Sequence, residues 1–175
     1  MNPSALNQPE MTTVSTARGP LSSEARSLRR RLDEIRALIA GMPSLSDSQL
    51  LEAIHHVGIL VNHIAAHGHA EEHIVYPYIR GCDVELAALR ADHVRLDTLS
   101  RAIIESTPAQ NRAALHGLLE EFLEVSEAHF LVEGEACMPI VHAHVLAGTE
   151  QLLFEAVEIE TFDHVLADAR GSVEP

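Results

Sequence analysis

Apolar residues recur every three or four positions along most of this chain, and that period limits what it can fold into more than any other feature. Leu28, Leu32, Ile35, Leu38 and Ile39 share one helical face; Leu50, Ile54, Val57, Leu60, Val61 and Ile64 share a second. A third stripe runs through Leu86, Leu89, Leu96, Leu99 and Ile103, and a last one through Leu152, Leu153, Ala156, Val157, Phe162 and Leu166. Turn chemistry separates the stripes. Gly41 closes the first, and Ser46 with Gln49 forms a capping-box signature that opens a helix to about Arg80. After the Gly81 break, Asp83 can cap a helix reaching Ser106. Thr107, Pro108 and Gln110 then repeat the capping box and start a helix from 108 to the low 140s, and a fifth helix follows Gly148.

Short turns between amphipathic helices predict an all-α fold: an up-down-up-down four-helix bundle with an additional C-terminal helix. The expected organisation is a disordered tail over 1–20, the bundle over 21–146, a C-terminal helix over 147–170 packed on it, and a short tail over 171–175. Composition agrees, because hydrophobic residues make up 46% of the chain but aromatics only 3%, leaving an aliphatic core. A formal charge of -14 repels phosphate backbones and anionic lipid, so neither nucleic acid nor a membrane surface is an expected partner. No apolar run reaches the roughly 18 residues of a membrane span. Residues 1–20 lack the apolar segment of a secretory signal, and Cys82 and Cys137 are too few for a disulfide framework. The expectation is a soluble cytoplasmic protein with two reduced thiols.

Against this plain background, HIAAHGHAEEHIVYP over residues 63 to 77 is anomalous for its density of imidazoles and carboxylates. His67, Glu71 and Pro77 in the second helix read H-x3-E-x5-P, and His129, Glu133 and Pro139 in the fourth read the same. On an α-helix, positions i and i+4 lie about 400° of rotation and roughly 6 Å apart, so each His and its Glu share a face one turn apart. Imidazole nitrogen with carboxylate oxygen suits iron, manganese or zinc, and the two pairs can meet inside a bundle. His93 lies on the apolar stripe of the third helix. Aligning the first helix under it places Leu32 where a fourth histidine is expected.

These residues resemble the hemerythrin-like, HHE cation-binding pattern: a His on the first helix, H-x3-EE followed by a proline on the second, a His on the third, and H-x3-E on the fourth. The resemblance covers about residues 22 to 145. It implies metal ligation by His67, Glu71, His93, His129 and Glu133, with the two glutamates bridging two irons, His67 on one, and His93 and His129 on the other. The departure is Leu32, which leaves one iron short of a donor. His63, one turn before His67, is the favoured substitute, and Glu72 is a second candidate if the helix is distorted near Pro77. The implied cofactor is two iron ions per chain, with manganese as the competitor. The third helix offers a single histidine, which argues against reversible oxygen carriage. The resemblance implies a non-haem di-iron protein that binds and activates dioxygen, peroxide or nitric oxide, using an electron donor and a small-molecule substrate if it turns over. The alternative is an iron, oxygen or nitric oxide sensing or storage module.

The remaining polar residues read more blandly. Glu52 and His55 form one E-x-x-H without the second copy that a ferritin-like scaffold needs. His55, His56, His69, His73, His116, His142, His144 and His164 are expected at the surface or behind the site. Tyr76 and Tyr78 are read as packing residues, Cys137 as a core thiol, and Arg29 to Arg31 as a solvated face.

Overall fold

The structure, a computed structural model, describes residues 20–106, 111–144 and 147–171, and among these there is no strand. Six helices follow in order: α1 (Pro20–Gly41), α2 (Asp47–Ile74), α3 (Asp83–Glu105), α4 (Arg112–Val132), α5 (Met138–His144) and α6 (Ala147–Gly171). The first four pack α2 on α3, α3 on α4 and α4 back on α1, closing the bundle, while α6 lies along α2 and α1. No helix among the described residues is long and apolar enough to cross a membrane.

The capping box at α2 forms as its sequence requires. Gln49 N donates to Ser46 Oγ at 3.3 Å, and Ser46 N donates to Gln49 Oε1 at 3.0 Å. Other boundaries differ from expectation. Helix α2 stops at Ile74 rather than near Arg80, because Pro77 lacks an N–H and disfavours helical backbone at Tyr76; the chain leaves through a 3-10 turn at Tyr76–Tyr78. Gly81 turns the chain at φ 82°, a value that L side chains resist. Cys82, not Asp83, occupies the N-cap of α3, and Asp83 sits in the first turn, where its charge favours the helix dipole. The expected cap at Thr107, Pro108 and Gln110 lies outside the described residues, as do 1–19, 145–146 and 172–175; the described α4 begins with Asn111 Oδ1 accepting from Ala114 N at 3.0 Å.

The expected fourth helix continues to His144, but not in one register. Between α4 and α5 the chain widens into a π-turn at Glu133–Cys137, immediately before Pro139. In α-helical register the proline could not bond the Glu135 carbonyl and its ring would strike it, so one wider turn accommodates both. The same H-x3-E-x5-P spacing therefore ends one helix and widens another.

The core divides in two. Leu32, Ile35, Leu50, Val61, Leu96, Ile103, Leu119 and Phe122 belong to one apolar cluster, and Ala70, Tyr76, Leu89, Cys137, Val141 and Val157 to the other. Along α2, α3 and α4 the residues between these clusters are His67, Glu71, His93 and His129, all buried. The fold thus holds a polar layer inside an aliphatic bundle.

Candidate metal centre

Burying a carboxylate and three imidazoles without water is costly unless they satisfy one another or a cation. Glu71 is 4% exposed and stands at the middle of the layer. Its Oε1 lies 3.0 Å from His67 Nε2, one turn earlier on α2, and its Oε2 lies 3.9 Å from His93 Nε2 on α3. His129 Nε2, from α4, approaches His93 Nε2 to 3.2 Å. Ligand atoms of Glu71, His93 and His129 all fall within 4.8 Å of one another. Glu133, half-buried at the start of the π-turn, brings its carboxylate against that of Glu71.

Electrostatics favour an ionised Glu71 beside His67, and neutral imidazoles at His93 and His129. Burial opposes ionisation of Glu71, but the charge and hydrogen bond of His67, the contact with Glu133 and the charge of His129 bring its pKa down to about 2. His129 is lowered to about 4, first by burial and then by His93. His93 is also lowered, by burial above all, although its bond to Glu72 works the other way. Neutral imidazoles and carboxylate oxygens are what a divalent transition metal takes. Glu71 Oε2 is buried without a hydrogen-bond partner among the described residues, an acceptor for which a cation is the natural complement.

A surrounding set of side chains orients these donors. His93 Nδ1 donates to Glu72 Oε1 at 2.7 Å, which leaves Nε2 with its lone pair toward Glu71 and His129. Arg90 Nε lies 3.6 Å from Glu72 Oε2, and its guanidinium sits 5.6 Å from the Tyr76 ring centroid. Glu72, proposed from the sequence as a possible ligand, therefore points to the outer nitrogen of His93. Asp92 Oδ2 lies 3.7 Å from His129 Nδ1.

Tyr76 is more than packing. Its ring stacks on His93 at 5.8 Å between centroids, and its hydroxyl is 3.4 Å from His93 Nε2. Burial and then Glu71 and Glu133 raise its pKa far above the ordinary phenol value, so it keeps its proton. Gly68 went unread in the sequence, although a lone glycine inside a strongly helical run was the available signal. A Cβ there would lie 2.4 Å from His93 Cδ2, so the imidazole occupies the space that any side chain would need.

A model of the hemerythrin HHE cation-binding domain matches residues 21–141. The chain belongs to the hemerythrin HHE cation-binding family. Comparison with curated proteins and with solved structures gives no match. Of the five residues read from the sequence, Glu71, His93 and His129 form the close group of ligand atoms, with His67 and Glu133 each against Glu71. Leu32, which the sequence reading set where a first-helix histidine was expected, is 3% exposed and packs in the larger apolar cluster with Leu28 and Phe130. His63 lines a separate cleft with Arg31, with its pKa lowered to about 4 by burial, then Arg31, then His67.

His55, His56 and His73 are exposed; His56 pairs with Glu34 at 3.1 Å and His73 with Glu160 at 2.9 Å. Half-buried His116 pairs with Glu120 at 3.2 Å. The side chains of His142, His144, His164 and Leu166 lie outside the described residues. Cys137 packs in the smaller cluster, its pKa pushed up to about 11 by burial, then by Cys82 and Glu133. Arg29 and Arg30 are exposed as expected, but Arg31 is half-buried.

Proposed function

We propose that this chain is a non-haem di-iron protein that binds and activates dioxygen, or a related oxidant such as peroxide, for oxidative chemistry. The observation that carries the reading is the division of Glu71: one oxygen serves His67, and the other, without a hydrogen-bond partner, faces His93 beside His129. That division suits a carboxylate shared between two cations, with Glu133 alongside as a second shared acid. Donors from three helices also exceed the four of a closed structural zinc site. His67, Glu71, His93, His129 and Glu133 would hold the ions. Iron held there supplies one- and two-electron chemistry toward dioxygen, peroxide or nitric oxide.

The chain's own residues set the conditions for that chemistry. Glu72 fixes the His93 tautomer, and Arg90 neutralises Glu72 in turn. Tyr76 retains a proton on an oxygen directed at the centre, where it can donate to a bound anion. The two apolar clusters exclude water from both ends of the polar layer.

Metal analysis of freshly purified protein tests the proposal, with about two iron ions per chain expected. A Glu71→Ala/Glu133→Ala variant should lose them while remaining helical. One zinc per chain, no iron and no colour would overturn it. A second reading, a sensing or storage module, draws support from α6, which packs along the helix that carries His67 and Glu71. Oxygen consumption with ascorbate as electron donor separates the two: catalytic uptake supports the enzyme, and stoichiometric reversible binding supports the module.

A further inference from the structure

We propose that His129 exchanges its ring tautomer when the centre takes up a cation, and that Asp92 is the positioning residue that holds it in the metal-binding form. This inference rests on the reading of the centre as a metal site, and adds to it an acid that stands behind a ligand rather than among the ligands. The protons of the polar layer can be counted. His93 Nε2 and His129 Nε2 lie 3.2 Å apart in rings tilted at 54°, so a proton stands between them, because two imidazole lone pairs at that range repel. His93 cannot supply it. Its Nδ1 proton is spent on Glu72 Oε1 at 2.7 Å, and a neutral imidazole carries only one. Burial, above all, keeps both rings neutral, with the His129 pKa lowered to about 4. His129 therefore donates from Nε2, and the Tyr76 hydroxyl reaches the same His93 lone pair from farther off, at 3.4 Å. His129 Nδ1 is left as a bare acceptor. It is buried with no hydrogen-bond partner among the described residues, and Asp92 Oδ2 stands 3.7 Å away, the spacing of two acceptors rather than of a hydrogen bond.

Ligation reverses this arrangement. Two nitrogens held about 2.1 Å from one ion stand roughly 3 Å apart, close to the Nε2 separation already present. Both lone pairs must then be free, so the proton between them has to leave. The His129 ring loses a proton at Nε2 and gains one at Nδ1 by exchange with solvent; its charge is unchanged and none is released overall. An N–H then faces Asp92 Oδ2, and an approach of a few tenths of an ångström completes a charge-assisted hydrogen bond. The Asp92 side chain is 33% exposed, which gives it room to move, whereas Glu72 already makes the equivalent bond to His93.

Proton–nitrogen correlation spectra of the full chain with labelled histidine, recorded metal-free and with zinc added as a diamagnetic probe, test the proposal. His129 is assigned by its loss in His129→Gln. Its proton is expected on Nε2 in the metal-free chain and on Nδ1 in the zinc-loaded one, while His93 keeps its proton on Nδ1 in both. In competitive chelator titration, Asp92→Asn should weaken zinc binding about 10- to 100-fold. The same variant should leave the melting temperature of the metal-free chain unchanged or raise it, because an amide can donate to the bare Nδ1 where a carboxylate cannot. A purely structural role would move stability and affinity together. Asp97→Asn removes the same charge from α3 at an acid paired with Arg101, and should change affinity by less than about fivefold. His129 protonated at Nδ1 without metal overturns the proposal. So does an Asp92→Asn affinity no lower than that of Asp97→Asn, or a lower melting temperature of metal-free Asp92→Asn. Zinc binding without the exchange overturns this inference alone, whereas a parent chain that takes up neither zinc nor iron removes the metal-centre reading along with it.

Discussion

Replacing Gly68 with alanine adds a single methyl group at the centre of α2. The new Cβ would stand 2.4 Å from His93 Cδ2, 2.7 Å from Nε2 and 2.8 Å from Cγ. Carbon atoms in contact keep about 3.5–4.0 Å, so the overlap exceeds roughly 1 Å. The ring has little room to yield: it is 1% exposed, bonded to Glu72 at 2.7 Å and set against His129 at 3.2 Å. Displacing it by about 1 Å would stretch the Glu72 bond beyond hydrogen-bonding range. Overpacking of this kind costs about 1–3 kcal/mol, and the better helix propensity of alanine returns about 0.5–1 kcal/mol. With a 2.4 Å approach to a fixed ring the overpacking cost falls at the upper end, about 3 kcal/mol, so the net loss is about 2–2.5 kcal/mol, or roughly 4–10 °C in the melting temperature of a chain this long. Because His93 Nε2 is a donor of the proposed centre, metal affinity should also fall about 10- to 100-fold, the range seen when a ligand's orientation is disturbed. Gly117→Ala is the control, since nothing lies within 4 Å of the added Cβ in mid-α4, and it should stabilise the fold by up to about 1 kcal/mol. Thermal unfolding and competitive metal titration of both variants provide the assay. A Gly68→Ala protein that melts no lower than the parent and keeps its metal affinity would refute the claim that the imidazole fills the glycine's side-chain space.

Metal-free protein should lose stability as pH falls from about 6.5 toward 4. His63 and His129 have folded pKa values near 4 against a reference value of 6.5, so the unfolded chain binds more protons in that window. His129 alone contributes on the order of 2–3 kcal/mol, read as a falling urea midpoint, and a flat profile would contradict the burial of neutral imidazole. Glu71, with its pKa lowered to about 2 from 4.5, adds its own loss only below that upper value. Arg112 donates to the carbonyls of Met42 and Leu45 at 2.9 and 2.8 Å and to Asp47 at 2.7 Å, tying α4 to the turn before α2. Arg112→Met should cost about 1–2 kcal/mol, after allowance for its partial exposure, and leave metal content unchanged. Ser46→Ala removes the α2 cap and should cost about 1 kcal/mol by urea unfolding, again without loss of metal.

Chain-local chemistry was legible in residue order. The 3.6 period sorted the apolar faces of α1, α2 and α3, although Leu152 and Phe162 of the last stripe are exposed; the Ser46 capping box opened α2 where it was read, and the i, i+4 spacing put His67 and Glu71 on one face. Local reading overran where proline acted differently in two contexts. Pro77 ended α2 in a 3-10 turn, and Pro139 followed a π-turn inside a continuing rod. Tyr76 packs in the core as read, but its contact with His93 was not foreseen, and Arg31 is half-buried beside the α6 cleft rather than solvated, because each depends on neighbours distant in the chain.

The sequence by itself determined which segments form amphipathic helices, where most of them turn, and which residues carry imidazole and carboxylate toward a common interior. Tertiary structure alone decided that Glu72 holds the back of His93 while Glu71 faces its front, that Gly68 yields its space to that ring, and that α6 closes a cleft over Arg31. Period and capping act over one or two turns and are written in neighbouring residues. Which nitrogen faces which oxygen depends on separations of a few tenths of an ångström between helices, and those emerge only when all the side chains of the core pack at once.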